Sequence, residues 1–228
     1  METIVIATVH AWNAKNAKTL CEKNTGYNIV VIDKKEELEK VVDINPKYVF
    51  FPHWSWAIPS EVYEDVTCIV FHMTDLPFGR GGSPLQNLIS RGVTETKISA
   101  IRVCEEIDAG DIYMQEPLSL YGGAEEIYIR ASEIIFAKMI PYIIENDPVA
   151  VPQNGDVVSF SRRTLAMSEL SQDMSITQVF DYIRMLDAEG YPKAFIKWGK
   201  YRLRFSRPKR TVKGIVSDVE LEVEDDRL

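Results

Sequence analysis

Short apolar, β-branched runs alternate with amphipathic or charged helical segments through the first part of this chain of 228 residues. The runs cover residues 3–9, 28–32, 48–51 and 67–71, and the helical segments cover residues 13–22 and 33–41. Alternation of this kind favours a parallel sheet with right-handed crossover connections. The run at 67–71 is apolar, which is typical of a central strand that is buried on both faces. The sequence therefore predicts an α/β fold, Rossmann-like, with a mostly parallel sheet.

The second half of the chain continues the main domain and then changes character. We expect strands at 98–103 and 111–118, helices at 124–145 and 176–186, and a β pair at 194–205. Residues 147–156 are rich in Pro, Asn, Gly and Asp, which is typical of a linker. The sequence thus predicts a main domain at 1–150 and a small C-terminal α+β segment at 151–228.

Composition narrows the class of protein. The formal net charge is −8, and Cys21, Cys68 and Cys104 lie far apart in apolar surroundings. Buried free thiols in a reducing cytoplasm explain this spacing better than disulfides or a metal site. The chain starts directly with a strand and has no apolar run of membrane-spanning length, so we expect no signal peptide and no membrane contact. An acidic chain also disfavours broad contact with phosphates, so we expect no nucleic acid partner.

A histidine and an aspartate are the best candidates for chemistry. His72 follows the apolar run at 67–71, and the chain then breaks into a loop rich in Pro and Gly. Asp108 precedes Gly110 between two further apolar runs. Enzymes of the α/β class keep reactive groups where parallel strands end, and one imidazole with one carboxylate is enough to move a proton. Taken alone, however, a histidine after a strand is more often structural, and an Asp before a Gly is usually a turn residue.

The residues around His72 resemble a known family signature. His72 is followed by Pro77, Arg80, Gly81 and Pro84. This spacing resembles the His-Pro-Ser-Leu-Leu-Pro-x-x-Arg-Gly-x-x-Pro signature of the 10-formyltetrahydrofolate-dependent formyltransferases. The resemblance implies the formyltransferase fold and an enzyme that moves a formyl group from 10-formyltetrahydrofolate to an amine, with no metal.

A second motif supports the same family and implies the roles of two residues. The stretch from Asp108 to Ile112 has the pattern Asp-x-Gly-x-Ile, which resembles the second motif of these enzymes. By this resemblance, Asp108 would orient the imidazole of His72 or take the amine proton through water. His72 would contact the oxyanion and handle the proton, as an imidazole near neutral pKa is able to do.

One position departs from the family pattern. Val70 stands where the family has an asparagine whose amide donates a hydrogen bond to the developing oxyanion. Valine cannot donate, and the loss of one such donor typically lowers the rate by about a hundredfold or more. Neighbouring parallel strands end side by side, so we expect His53, or Ser55 beside it, to supply the missing donor.

Further site residues are expected on the loops near these motifs. For the folate co-substrate we expect Trp54, Ser55, Arg80, Gly81 and Asp111, and for the amine substrate we expect Trp12, Asn13, Pro77 and Ser99. Several of these have equally simple structural interpretations. Trp54 could be a core or rim aromatic, Arg80 and Gly81 could form a flexible loop or an empty anion nest, and Asn13 could cap a helix.

Residues in the C-terminal part of the chain indicate that the substrate is an amino sugar. Arg162-Arg163-Thr164, Ile183-Arg184-Met185-Leu186 and Tyr191-Pro192 resemble the start of the C-terminal region of amino-sugar formyltransferases. We therefore expect an N-formyltransferase of surface glycan biosynthesis. Its substrate would be a nucleotide-linked amino sugar or a nonulosonic acid, such as one of the pseudaminic-acid type. The alternating Val/Leu strand near the end of the chain could pair across a homodimer.

Two other functions remain open at this point. The first is formylation of methionyl-tRNA or of glycinamide ribonucleotide by the same chemistry. Transfer RNA should need a larger basic surface than a short C-terminal segment provides, and the purine enzyme should keep the asparagine. The second is a folate- or sugar-binding protein that lost catalysis together with that asparagine. Release of tetrahydrofolate in the presence of candidate amines distinguishes the enzymes from the binding protein.

Overall fold

The chain folds into two compact units. The structure is a computed structural model, and it describes residues 1–23 and 26–223. One unit consists of Met1–Gly81, Thr96–Leu118 and Ile129–Ser159, and the other of Gly82–Glu95, Ser119–Tyr128 and the described residues from Phe160 onward. The domain boundary near residue 150 stays a prediction.

Strands and short helices alternate along the described residues. The strands are β1 (Glu2–Ala7), β2 (Tyr27–Ile32), β3 (Tyr48–Phe51), β4 (Cys68–His72), β5 (Phe78–Gly81), β6 (Glu95–Arg102), β7 (Ile112–Ser119), β8 (Val158–Phe160), β9 (Ala194–Trp198), β10 (Tyr201–Thr211) and β11 (Gly214–Val223). The α-helices are α1 (Ala11–Lys23), α2 (Val41–Ile44), α3 (Ser60–Tyr63), α4 (Pro84–Ser90), α5 (Ala124–Ile134), α6 (Ile140–Asn146) and α7 (Ile176–Met185). Short 3-10 helices cover Lys35–Lys40 and Leu165–Ser168, and a π-helical turn covers Ile135–Met139.

The large sheet has six strands in the order β2-β1-β3-β4-β6-β7. Strand β1 pairs in parallel with β2 and β3, and β3 pairs in parallel with β4. Strand β6 runs antiparallel to β4. The predicted α/β fold with a mostly parallel sheet is confirmed.

Both faces of this sheet are covered. In β1 the consecutive residues Ile4, Val5 and Ile6 are all 0% exposed, and successive side chains of a strand point to opposite faces. Burial of each such side chain stabilises the fold by about 1.5–3 kcal/mol. On one face, α1 contacts α5 through Asn16, whose Nδ2 donates to Ser132 Oγ at 2.8 Å. Double coverage explains why the strands read as apolar runs rather than as alternating patterns.

Two helices differ from the sequence prediction. The segment at 33–41 forms a 3-10 helix followed by the single turn α2, since Lys34 provides no side-chain cap and Leu38 is the one buried residue of the 3-10 segment. The helix at 124–145 contains the π-helical turn Ile135–Met139, which ends two residues before Pro141. Proline lacks an N–H and its ring crowds the preceding turn, which accounts for the wider turn at this place.

The second unit contains α4, α7 and a three-stranded antiparallel sheet in the order β11-β10-β9. Helix α7 begins with a capping box, in which Ser175 and Gln178 each bond the other's backbone N–H. The buried Gln86 of α4 donates to the Tyr128 hydroxyl at 3.0 Å and to the Met185 carbonyl at 3.1 Å. The predicted C-terminal α+β segment is thus confirmed.

The three cysteines are free thiols in different environments. Cys68 is buried, and burial raises its pKa to about 12, so it stays protonated and unreactive. Cys21 is half-buried and Cys104 is exposed. The expectation of buried thiols is therefore wrong for Cys104, which follows the last residue of β6 by two positions. Within the described ranges, no helix combines the length and apolar composition that a membrane crossing requires.

Candidate active site

All three histidines of the chain lie at or after the ends of neighbouring strands of the large sheet. The strands β1, β3 and β4 are adjacent and parallel, with Ile6 opposite Phe50 and Phe51 opposite Val70. His10, His53 and His72 come at or just after the ends of these strands. Because parallel strands end at the same edge of a sheet, this edge is where titratable groups collect.

His72 is the last residue of β4 and is 8% exposed. Its Nε2 lies 2.7 Å from the carbonyl oxygen of Gly79. A carbonyl oxygen only accepts hydrogen bonds, so Nε2 carries a hydrogen and donates it. In the neutral ring, Nδ1 therefore presents its lone pair.

Asp108 faces this lone pair. Its Oδ2 lies 3.4 Å from His72 Nδ1 and accepts the N–H of Gly81 at 2.9 Å. The structure thus brings the two predicted residues together, and Asp108 touches the Arg-Gly motif as well. The arrangement can accept a proton at Nδ1, since the carboxylate stabilises the imidazolium that results.

Local backbone geometry explains the glycine in the Asp-x-Gly motif. Asp108 has φ of 55°, a left-handed conformation that Asp tolerates better than most residues. Two residues later the chain passes so close to β6 that a Cβ at Gly110 would lie 1.7 Å from the carbonyl oxygen of Arg102. This close approach sets the position of the Asp108 turn against β6.

The Arg80 loop is also shaped by glycine. Gly79 and Gly81 have φ of 85° and 101°, values that favour glycine. These turns direct the Gly79 carbonyl to His72 and the Gly81 N–H to Asp108. Gly79 and Gly81 thus make hydrogen bonds to the site residues, unlike the flexible loop or empty anion nest that the sequence also allowed.

A residue that sequence reasoning missed connects the two motifs. The Oε1 atom of Gln153 accepts from Arg80 Nε at 3.1 Å and from Nη2 at 2.9 Å. Its Nε2 donates to the carbonyls of Asp108 at 2.8 Å and Gly110 at 2.9 Å. Arg80 Nη1 also pairs with Glu106 Oε1 at 3.1 Å. Gln153 lies in the segment predicted as a linker, and a single glutamine there carries no signal in the sequence.

The loop after β3 holds the next group of predicted residues. His53 has φ of 54°, and burial together with nearby His10 lowers its pKa to about 3. Trp54 is half-buried, with its ring 5.8 Å from that of Phe51 and 4.8 Å from that of Trp56. Ser55 is exposed.

Trp12 and Asn13 belong to the first turn of α1. The Trp12 ring stacks on His10 with centroids 4.5 Å apart. Asn13 is 1% exposed, and its Nδ2 donates to the Pro52 carbonyl at 3.0 Å. Since α1 begins at Ala11, Asn13 lies inside the helix rather than at its N-cap.

The remaining predicted residues are Ser99, Pro77 and Asp111. Ser99 is fully buried, and its hydroxyl donates to the Thr74 carbonyl at 2.7 Å and accepts from Gln115 Nε2 at 2.8 Å. Direct contact between Ser99 and a substrate would therefore require these bonds to be exchanged. Pro77 is buried after a cis peptide bond, and Asp111 is exposed. Over the residues with assigned positions, no group of three His, Cys, Asp or Glu side chains could hold a metal ion.

Comparison with known proteins gives two kinds of similarity. A family model described as the C-terminal domain of methionyl-tRNA formyltransferase matches residues 165–222. A solved structure called methionyl-tRNA formyltransferase from Clostridium thermocellum is 54% identical, with a TM-score of 0.96, and the match covers 98% of this chain and 100% of that one. A curated methionyl-tRNA formyltransferase from Lactobacillus acidophilus is 28% identical over 175 residues, which are 73% of this chain and 55% of the relative. The chain spans about half the length of such curated relatives.

More distant structures share the fold alone. A 4-N formyltransferase from Francisella tularensis is 19% identical with a TM-score of 0.71, and the match covers 87% of this chain and 93% of that one.

Proposed function

Because this chain belongs to the formyltransferase family, we propose that it transfers a formyl group from 10-formyltetrahydrofolate to the amino group of methionyl-tRNA. The observation that carries the chemistry is the 3.4 Å approach of His72 Nδ1 to Asp108 Oδ2. The choice of acceptor is supported by the 54% identical structure, whose name states methionyl-tRNA formyltransferase.

The expectation of an amino-sugar substrate in glycan biosynthesis is wrong. Methionyl-tRNA formyltransferase is the name of both the 54% identical structure and the curated relatives. By contrast, the structures called 4-N or sugar N-formyltransferase are 15–19% identical. The residues that suggested a sugar enzyme support the second unit instead. Arg184 Nη1 donates to the carbonyls of Leu120 at 2.7 Å and Gly122 at 2.9 Å, and the Arg163 guanidinium lies over the Tyr182 ring.

The expectation of no nucleic acid partner is wrong for the same reason. It rested on the net charge of the whole chain, which says little about where positive charge lies. Strand β10 has five basic residues among eleven, Arg202, Arg204, Arg207, Lys209 and Arg210. Glu220 and Glu222 neutralise Arg204, but Lys209 and Lys213 are exposed close to the β10–β11 turn. This hairpin is where we propose that tRNA phosphates bind.

The proposed proton path uses the atoms of His72 and Asp108. The attacking amine must lose a proton as its nitrogen bonds to the formyl carbon, and His72 Nδ1 takes this proton. Asp108 stabilises the imidazolium, while the Nε2–H bond to Gly79 prevents the ring from turning. The Nδ1 proton is then available to the leaving nitrogen. When bound, 10-formyltetrahydrofolate supplies the formyl group.

The loops carry groups that fit such a co-substrate. Trp54 Nε1 is buried and has no hydrogen-bond partner among the residues that the structure describes, so it is available to a ligand acceptor. Arg80 has a side chain 14% exposed, and its guanidinium pairs with the more exposed Glu106. We propose that Trp54, Ser55, Arg80 and Gly81 bind the folate.

His53 is the proposed substitute for the family asparagine. Val70 is half-buried in β4 and provides no donor at the position of that asparagine. A neutral imidazole has one N–H, and the lowered pKa of His53 keeps the ring neutral near pH 7. His53 can therefore donate to an oxyanion without bringing a charge that competes with His72.

The test is formyl transfer with purified protein. Methionyl-tRNA, free methionine and glycinamide ribonucleotide are each incubated with 10-formyltetrahydrofolate, and tetrahydrofolate release and product mass are measured. We expect turnover with methionyl-tRNA and none with the other two amines. Folate binding without turnover on any amine would instead support a binding protein, and turnover with glycinamide ribonucleotide alone would support the purine enzyme.

A further inference from the structure

We propose that the segment from Thr8 to Asn13, which leads from β1 into α1, positions His53 for formyl transfer, with His10 as the residue that holds the imidazole ring. This inference rests on the proposed function for its catalytic consequence. The positioning itself is a property of the protein without substrate, so the two can be tested separately.

The first contact fixes the backbone directly before His53. The Pro52 carbonyl accepts from Thr8 Oγ1 at 2.9 Å and from Asn13 Nδ2 at 3.0 Å. Thr8 and Asn13 are each 1% exposed. A carbonyl oxygen has two lone pairs, and here both are used by buried donors. The end of β3 is therefore held by the turn after β1 and by the first turn of α1.

This anchoring matters because His53 has an unusual backbone. Its φ of 54° lies in the left-handed region, which only a few per cent of non-Gly residues adopt, His among them more often than most. Such conformations persist where the surroundings determine them, and they concentrate at functional sites. The two hydrogen bonds to the Pro52 carbonyl fix the backbone on the N-terminal side of His53.

The second contact fixes the ring. His10 lies flat on Trp12, with centroids 4.5 Å apart and planes 8° apart. The His53 ring meets His10 at an angle of 63°, with centroids 4.3 Å apart. Stacking on Trp12 holds the His10 ring, and the angled contact then restricts rotation of the His53 side chain. A charge on either imidazole also opposes a second charge 4.3 Å away.

The strand register relates His53 to His72. Phe51 lies opposite Val70 in the parallel pair of β3 and β4, and His53 and His72 are each two residues further along the chain from this pair. A neutral donor held beside His72 would act on the same reacting centre. His10 is then a positioning residue, since it acts through His53 and contacts no reacting atom.

Nuclear magnetic resonance of ¹⁵N-histidine protein tests the positioning directly. The chain has only three histidines, so single substitutions assign every imidazole signal. In the unmodified protein we expect the His53 signals to show one neutral tautomer down to about pH 5. In His10→Ala we expect averaged tautomers and titration of His53 at higher pH. We expect His10→Phe, which keeps an aromatic ring, to retain the single neutral tautomer.

Kinetics then tests the catalytic consequence. We expect His10→Ala to lower kcat for methionyl-tRNA about tenfold with KM changed less than about twofold, and His10→Phe to restore most of it. Lys15→Ala, on the exposed side of α1, is the control and should change neither the spectrum nor kcat. If His10→Ala does not fold, Asn13→Ala gives the same readouts, because it removes the donor to Pro52 and leaves all three rings.

Each outcome has a defined meaning. An unchanged His53 spectrum in a folded His10→Ala protein would overturn the positioning proposal, whatever happens to the rate. A changed spectrum with unchanged kcat would overturn its catalytic part. A changed spectrum in a protein that formylates no methionyl-tRNA would uphold the positioning and count against the proposed function alone.

Discussion

His72 Nδ1 lies 3.4 Å from Asp108 Oδ2, and the same carboxylate oxygen accepts the Gly81 N–H at 2.9 Å. Asp108 therefore faces the imidazole and bonds the Arg80 loop at the same time. This relationship makes the two sequence motifs parts of one site, and it determines what each nearby substitution should do.

Gly110→Ala should destabilise the protein. The added Cβ would lie 1.7 Å from the Arg102 carbonyl oxygen, so the Asp108 turn or β6 must move. We expect a loss of about 2–4 kcal/mol in the free energy of unfolding, measured by urea denaturation. Gly123→Ala is the matched control, because the nearest atom to its Cβ would be 3.9 Å away. Equal stability of the two variants would contradict this account of the turn.

Gln153→Leu should lower the rate without unfolding the chain. The substitution keeps the side-chain volume but leaves Arg80 and the carbonyls of Asp108 and Gly110 without the amide. We expect kcat to fall about tenfold, because the carboxylate turn loosens beside His72. Asn154→Ala, at the neighbouring exposed position, should retain kcat. A Gln153→Leu enzyme with full activity would show that the turn needs no such support.

The stability contribution of His53 should depend on pH. Its pKa is about 3 in the folded chain against an ordinary value of 6.5, so below pH 6.5 the unfolded state gains a proton that the folded state lacks. Stability from neutral His53 is therefore complete above pH 6.5 and is lost as the pH falls toward 3. The difference in unfolding free energy between the protein and His53→Asn should shrink by at most about 1.4 kcal/mol per pH unit. A difference that is constant from about pH 7 to about pH 4.5 in urea denaturation would refute this.

Charge at the β10–β11 turn should govern tRNA affinity. Lys213 is exposed between Thr211 and Gly214, and Lys213→Glu should weaken binding of methionyl-tRNA. The slope of log Kd against log salt should fall by about 1 for each phosphate that the variant no longer neutralises. Lys40→Glu makes the same change of net charge at an exposed position of the first unit. If both variants bind tRNA equally well, the hairpin is not the tRNA-binding surface.

Much of the fold follows from local patterns in the sequence. The apolar runs of β1, β3 and β4 predict buried parallel strands, because strands covered on both faces cannot alternate. The spacing around His72 and Asp108 also resembles the formyltransferase family. The glycines in these motifs have steric reasons that a local pattern preserves, as the close approach of Gly110 to β6 shows.

Other features depend on contacts that no local pattern encodes. Gln153 joins the motifs from a segment that looks like a linker, and Asn13 looks like a helix cap although it donates to Pro52. The substrate expectation failed for a related reason. It relied on short stretches such as Arg162-Arg163-Thr164 and on net charge, neither of which shows how basic residues are distributed over the C-terminal sheet.

The central claim is that His72 and Asp108 move one proton as a unit during formyl transfer to methionyl-tRNA. The most direct measurement is kcat for the unmodified protein, His72→Asn, Asp108→Asn and the double variant, with thermal melts to show that all four fold. We expect each single variant to lose about a hundredfold or more, and the double variant to lose no more than the worse single one. Losses that multiply in the double variant, or an Asp108→Asn enzyme within about threefold of the unmodified rate, would contradict the account.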